Sequence, residues 1–222
     1  MIVQVLEPHD FPAAAIARLR ERGDVLLGDV APGRRAVVDV VFTRLARRID
    51  AAFHADYPAL RAIVSPTTGL DHIDLAHFAA AGVRVISLKG ETAFLDSIHA
   101  TAEHTLALTL ALLRDLPGAA HEVRAGTWNR YAHKGRELHG KRVVLLGYGR
   151  IGRLVRPLFE AFGCTVRAHD VVAGRVPPDI ACDFPAVLSE TDILSVHLPY
   201  DDGTAGHVDA ALLDRLPPHA VV

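Results

Sequence analysis

Val143-Val144-Leu145-Leu146-Gly147-Tyr148-Gly149-Arg150-Ile151-Gly152 is the stretch on which the reading of this chain turns. An apolar run of strand length feeds straight into G-x-G-x-x-G. The residues that follow place Ile151, Leu154, Val155, Leu158, Phe159 and Phe162 at helical spacing. Asp170 lies 18 residues past Gly152, at the end of the next apolar run, Thr165–His169. A glycine pattern alone is weak; strand, helix and acid in these places make a dinucleotide-binding βαβ unit. Each residue has its own reason. Gly147 permits the tight turn. Gly149 lets backbone approach a diphosphate, and Gly152 lets helix and strand pack closely. The helix N-terminus supplies N–H groups and the positive end of its dipole. The Asp170 carboxylate can accept both hydroxyls of the adenosine ribose and repels a 2′-phosphate. NAD is therefore favoured over NADP. Pro157 falls inside the helix, where it removes a hydrogen bond and predicts a mild kink.

Working outward, the alternation continues. Ile193–Leu198 reads as a strand, Val208–Leu216 as a helix, and Ala220–Val222 as the start of another strand. A short strand at Asp179–Cys182 and a short helix at Pro185–Glu190 are expected between them. Upstream, Ile98, Ala102, Leu106, Leu110 and Leu113 repeat at helical spacing, predicting a helix over 97–116 that Pro117-Gly118 ends. Its broad apolar stripe predicts cover on both sides, one side by a second subunit. The first hundred residues predict strands at Ile2–Leu6, Val25–Leu27, Val37–Phe42, Leu60–Val64 and Val83–Ile86. Helices are expected after an Asp10 cap, at Leu45–His54 and at Asp71–Ala81. The whole implies α/β architecture: a flavodoxin-like domain over 1–96, then a doubly wound Rossmann domain over 97–222 that is incomplete.

Composition narrows the function. In 222 residues, 24 Lys and Arg stand against 26 Asp and Glu, a net charge of −2. No basic excess exists to hold nucleic acid or an anionic membrane surface. Thr105–Leu113, the longest uncharged run of the most apolar segment, is too short to span a bilayer. The start has no signal-peptide pattern. Cys164 and Cys182 form neither a disulfide framework nor a zinc spacing, and no H-E-x-x-H occurs, so no metal is expected. A cytoplasmic protein is the expectation.

Six further segments, in order, resemble the D-isomer-specific 2-hydroxyacid dehydrogenases, the family that includes D-3-phosphoglycerate dehydrogenase. They are Thr68-Gly69-Leu70-Asp71-His72-Ile73-Asp74, Ala102-Glu103-His104-Thr105-Leu106-Ala107-Leu108, Gly126-Thr127-Trp128, Leu138-His139-Gly140-Lys141, Thr191 to Pro199, and Thr204-Ala205-Gly206-His207-Val208. The resemblance implies a pyrophosphate loop at Gly147, Tyr148, Gly149, Arg150, Ile151 and Gly152, and a ribose acid at Asp170. It implies cofactor-lining positions at His197, Leu198, Pro199 and Thr204, with Thr105 facing the nicotinamide. Thr68 and Gly69 would receive the substrate carboxylate. The implied activity is NAD-dependent hydride transfer between the nicotinamide and a D-2-hydroxy or 2-keto acid, by a homodimer.

The family's Arg, Glu and His, which perform the acid–base chemistry, fall beyond the strand that begins at Ala220. No catalytic residue is therefore assigned, His197 included. A strand that breaks off at Val222 leads us to expect the front part of a longer protein, and weak NAD binding by this piece. The segment from Val85 to Glu103 departs from the family pattern, being longer and without proline. Lys89 within it is either a substrate-phosphate contact or a solvated cation. Two alternatives share the fold: a non-catalytic, NAD-sensing module of corepressor type, and an inactive fragment.

Overall fold

The computed structural model describes residues 1–222, which divide into two compact units, Met1–Leu95 and Asp96–Val222. The first contains β1 (Ile2–Val5), α1 (Ala13–Arg20), β2 (Asp24–Leu27), α2 (Pro32–Arg35), β3 (Val40–Phe42), α3 (Ala51–Ala55), β4 (Ala62–Ser65), α4 (Leu75–Ala80) and β5 (Arg84–Ser87). Its five strands are all parallel in the order β2-β1-β3-β4-β5, the flavodoxin-like order. Central strands of such a sheet are covered on both faces and need apolar side chains at successive positions. Val3 and Val5 on β1, Val41 on β3 and Ile63 on β4 are fully buried accordingly. Gln4 breaks the run at the centre of β1, and its Nε2 donates to the Gly28 carbonyl at 2.8 Å.

Several elements of this unit differ from expectation. Helix α3 covers only Ala51–Ala55, because Asp50 caps it: Oδ1 accepts from the N–H groups of Ala52 and Phe53. Just before it, Ile49 bridges to Ile73 as extended chain, so 45–50 is not helical. Asp74 caps α4 by accepting from the His77 N–H at 3.0 Å, which moves that helix start from Asp71 to Leu75. Asp10 is not a cap; it sits at φ 59, and α1 begins after Pro12 with no side-chain cap. Strand β3 starts at Val40, since the turn after α2 is closed only at Val38, whose N–H donates to the Arg35 carbonyl. The segment without proline holds a short helix, α5 (Thr92–Asp96).

The second unit contains α6 (Ala100–Leu113), α7 (Leu116–Arg124), β6 (Arg142–Leu146), α8 (Arg150–Ala161), β7 (Thr165–His169), a 3-10 turn at Ala186–Glu190, β8 (Ile193–Val196) and α9 (Ala210–Leu213). The expected long helix ends at Leu113. Asp115 adopts the left-handed conformation and breaks it. Pro117-Gly118 does not stop a helix; it lies in the first turn of α7, where a missing N–H costs nothing. Ala102, Thr109 and Leu113 of α6 are buried, whereas Leu108 and Leu112 are more than half exposed. Only one side of α6 is covered within this chain. Helix α9 is a four-residue remnant of the expected Val208–Leu216, capped by Asp209.

Strands β7, β6 and β8 form a parallel sheet in that order. The expected strand at Asp179–Cys182 is reduced to one bridge, Ala181 to Ala168, on the free edge of β7. Val221 bridges to Ile193 on the free edge of β8. From edge to edge the chain order is thus Ala181, β7, β6, β8, Val221, which is the Rossmann order with its reversal between β6 and β8. Alternate residues of β6 supply two cores: Val143 and Leu145 pack with Val155 and Phe159 of α8, Val144 and Leu146 with Leu188 and Leu194. Burying each large side chain contributes about 2 kcal/mol, so both layers hold β6 in register. Helix α8 runs through Pro157 and ends before Phe162, which is exposed rather than part of the apolar face. No helix in the chain is long and apolar enough to cross a membrane.

Candidate functional site: a dinucleotide cavity at the strand-order reversal

In open parallel sheets the crevice forms at the carboxyl ends of the strands where the order reverses. Here that place lies between the turn after β6 and the end of β8, and a cavity of about 630 Å³ occupies it. Gly147, Gly149, Asp170, His197, Leu198, Pro199 and Thr204 all line it. Seven positions named from the sequence are thereby brought together. The glycines are required by measurable geometry. Gly147 has φ +97, and a Cβ there would stand 2.7 Å from the His197 carbonyl oxygen. A Cβ on Gly152 would stand 2.4 Å from the Gly147 carbonyl oxygen, so α8 can approach the turn only through a glycine. Gly149 is different: a Cβ there would meet nothing within 4 Å. Its bareness serves no packing inside the chain and leaves an open approach at the N-terminus of α8.

The acid is held firmly. Asp170 Oδ2 accepts from the Tyr148 N–H and Oδ1 from the Val172 N–H, each at 2.9 Å. Burial pushes its carboxyl up, but those two N–H groups and the Arg175 guanidinium outweigh it and hold Asp170 below the usual carboxylate range. It is an anion at neutral pH, as an acceptor of two ribose hydroxyls must be. An open diphosphate approach at a helix N-terminus, beside a fixed carboxylate, fits the adenosine half of a dinucleotide.

Other positions named from the sequence lie elsewhere. Tyr148 is 5 % exposed with its side chain in the core, and contributes its backbone N–H. Arg150 Nη1 donates to the Ile98 carbonyl at 3.1 Å, and Ile151 packs on the core. Thr105 does not line the cavity; its hydroxyl donates to the Thr101 carbonyl at 2.9 Å. The Thr204 hydroxyl is used within its own loop, donating to Pro199 O at 2.5 Å and accepting from the Asp201 N–H at 3.0 Å. Thr68 and Gly69 are in the loop after β4, in the first unit. Sequence reasoning missed Phe184, which lines the cavity and stacks on His169 with ring centroids 5.4 Å apart. It also missed the contact of Arg175 with Asp170.

His197 stands on the cavity wall with Nε2 2.9 Å from Ser195 Oγ, and burial pushes its imidazole down to about 4. The ring is neutral at neutral pH and makes no cation. The stability consequence has a definite sign. An unfolded imidazole titrates near 6.5, so between about pH 6.5 and pH 4 the unfolded chain takes a proton that the folded one refuses. His197 should therefore cost stability as pH falls through that window, by up to about 3 kcal/mol at its foot. Urea unfolding at pH 7 and pH 5 should show a smaller difference in His197→Gln than in wild type; equal differences would contradict this.

The fold and cavity together define a protein of the dinucleotide-binding α/β class. Residues 106–222 match the D-isomer specific 2-hydroxyacid dehydrogenase NAD binding domain, and the chain belongs to that family. Among curated relatives, the D-3-phosphoglycerate dehydrogenase of Mycobacterium tuberculosis (strain ATCC 25618 / H37Rv) is 35 % identical over 188 residues, covering 83 % of this chain and 35 % of that protein. The glyoxylate reductase of Aeropyrum pernix is 35 % identical over 177 residues, covering 75 % of this chain and 51 % of that one. The solved structure of TT0316 protein from Thermus thermophilus superposes with a TM-score of 0.82 at 29 % identity, over 97 % of this chain and 70 % of that one. This chain spans about a third of the length of the phosphoglycerate dehydrogenases it matches.

Proposed function

We propose that this chain is part of an NAD-dependent oxidoreductase that transfers a hydride between the nicotinamide and a D-2-hydroxy or 2-keto acid, in the manner of D-3-phosphoglycerate dehydrogenase. One observation carries the reading: an open diphosphate approach at Gly149 and an anionic, backbone-held Asp170 share one cavity at the strand-order reversal. When bound, the nicotinamide supplies the hydride chemistry. The chain's own residues bind and orient. In this reading the turn from Gly147 to Gly152, Tyr148, Arg150 and Ile151 included, cradles the diphosphate. Asp170 holds the adenosine ribose and disfavours a 2′-phosphate, so NAD is preferred. His197, Leu198, Pro199 and Thr204 wall the cavity, and Thr105 serves the nicotinamide side. Residues 1–96 act as the substrate domain, with Thr68 and Gly69 receiving the carboxylate, and residues 97–222 as the cofactor domain.

We further place a second copy of the chain on the exposed apolar residues Leu108, Leu112, Leu116 and Val123 of α6 and α7, giving a homodimer. Two free thiols, Cys164 and Cys182, are consistent with a reducing cytoplasm. The test is turnover by the full-length protein. NADH oxidation followed by absorbance with a panel of 2-keto acids, phosphorylated ones included, should show saturable activity with at least one. Binding of NADH without turnover of any acid would favour the sensing module instead.

A further inference from the structure

Asp170 is fully engaged before any ribose arrives. Besides the Tyr148 and Val172 N–H groups, Arg175 Nη1 stands 3.1 Å from its Oδ1 and 3.2 Å from its Oδ2. A carboxylate offers about four acceptor positions, and these contacts use them all. Two ribose hydroxyls can therefore donate to Asp170 only by displacing a partner. The backbone N–H groups cannot leave without unfolding the turn. Arg175 can: its side chain is 42 % exposed, against 6 % for Asp170.

The arginine is placed to matter after it moves. Gly174 at φ +74 and the bond from the Arg175 N–H to the Val172 carbonyl turn the chain back over Asp170. Arg175 lines the same cavity, and it is the only Lys or Arg that does. A guanidinium presents a planar fork of donors that matches phosphate oxygens. A group on the ribose 2′ oxygen would lie beside the carboxylate that Arg175 now covers.

We propose that Arg175 is a specificity-determining residue of this cavity: it competes with the ribose hydroxyls for Asp170 and, once displaced, meets a 2′-phosphate. It thereby narrows the preference for the unphosphorylated dinucleotide that Asp170 alone would impose. The inference rests on the dinucleotide reading of the cavity and adds a residue that works against its selectivity. By spacing alone, an arginine five residues past Asp170 looks too far away to matter.

The test uses ligands that need only the adenosine half of the cavity. Calorimetric titration of the 222-residue chain with ADP-ribose and with 2′-phospho-ADP-ribose would be made for wild type, Arg175→Ala and Arg175→Lys. Removing the Arg175 side chain leaves Asp170 with its two backbone N–H partners, so both variants should fold, and circular dichroism checks that they do. Arg175→Ala should bind ADP-ribose a few-fold more tightly and the phosphorylated ligand about tenfold more weakly. Arg175→Lys should keep most of the affinity for the phosphorylated ligand. If Arg175→Ala changes both affinities by the same factor, or neither, Arg175 is a structural partner only and the inference is wrong while the site stands. If the wild type binds neither ligand, the reading of the cavity falls and takes this inference with it.

Discussion

Replacing Gly149 by alanine will leave the chain folded and remove most of its affinity for ADP-ribose, whereas replacing Gly152 by alanine will damage the fold itself. The two glycines belong to one motif and lie three residues apart, yet their surroundings differ. A methyl at Gly149 meets nothing within 4 Å, at an ordinary φ of −74. Only a weaker helix cap is lost, at about 1 kcal/mol. The methyl instead fills the approach that a diphosphate needs, so affinity should fall by at least about tenfold, the loss of one charge-assisted hydrogen bond or more. A methyl at Gly152 stands 2.4 Å from the Gly147 carbonyl oxygen, which is backbone and cannot rotate away. Helix α8 must retreat from β6, loosening Val155 and Phe159 in the core, at about 3 kcal/mol. Thermal unfolding and calorimetry on both variants separate the two effects. A Gly149→Ala chain that keeps wild-type affinity would show that nothing approaches that backbone.

Asp170→Ala should lower affinity for ADP-ribose by about a hundredfold, since two hydrogen bonds to a charged acceptor are lost at about 1.5 kcal/mol or more each. The same substitution strips the Tyr148 and Val172 N–H groups of their acceptor and leaves Arg175 without its carboxylate. Some of the loss is therefore a loosened turn. Asp170→Asn removes the charge and one of the two acceptors: its amide oxygen can hold either the Tyr148 or the Val172 N–H, while its NH2 faces the other. It should fall between wild type and alanine in both affinity and stability. An alanine variant with undiminished affinity would remove Asp170 from the site.

How much of this is legible in the sequence depends on how local each signal is. Strand β6, the turn, α8 and β7 are readable nearly to the residue because apolar run, glycine spacing and helical period all lie within about thirty positions of one another. The parallel sheets follow from strand–helix alternation, and the strand at Val221 survives as a single bridge to Ile193. Helix ends are harder. Pro117-Gly118 looks the same ending one helix as opening the next, and the left-handed Asp115 that decides between them has no pattern around it. Asp50 is available as a cap, but Leu45, Ala46 and Ile49 before it extend the apparent helix; Leu45 is exposed on a bend, and Ile49 alone is buried as extended chain bridging to Ile73. In the cavity, the glycines and Asp170 carry recognisable spacing. Phe184 reaches the wall from the far side of β7, and Arg175 returns to Asp170 through a turn at Gly174. Neither contact leaves a periodic trace, so spacing alone puts Arg175 out of reach when it is in contact.

A crystal structure of the chain soaked with ADP-ribose decides whether this cavity seats a dinucleotide. The diphosphate should lie against the backbone of Gly149 to Gly152, with both ribose hydroxyls on the Asp170 carboxylate and the Arg175 side chain moved off it. A diphosphate seated elsewhere, or a ribose turned away from Asp170 with the Arg175 contact intact, would contradict the dinucleotide reading.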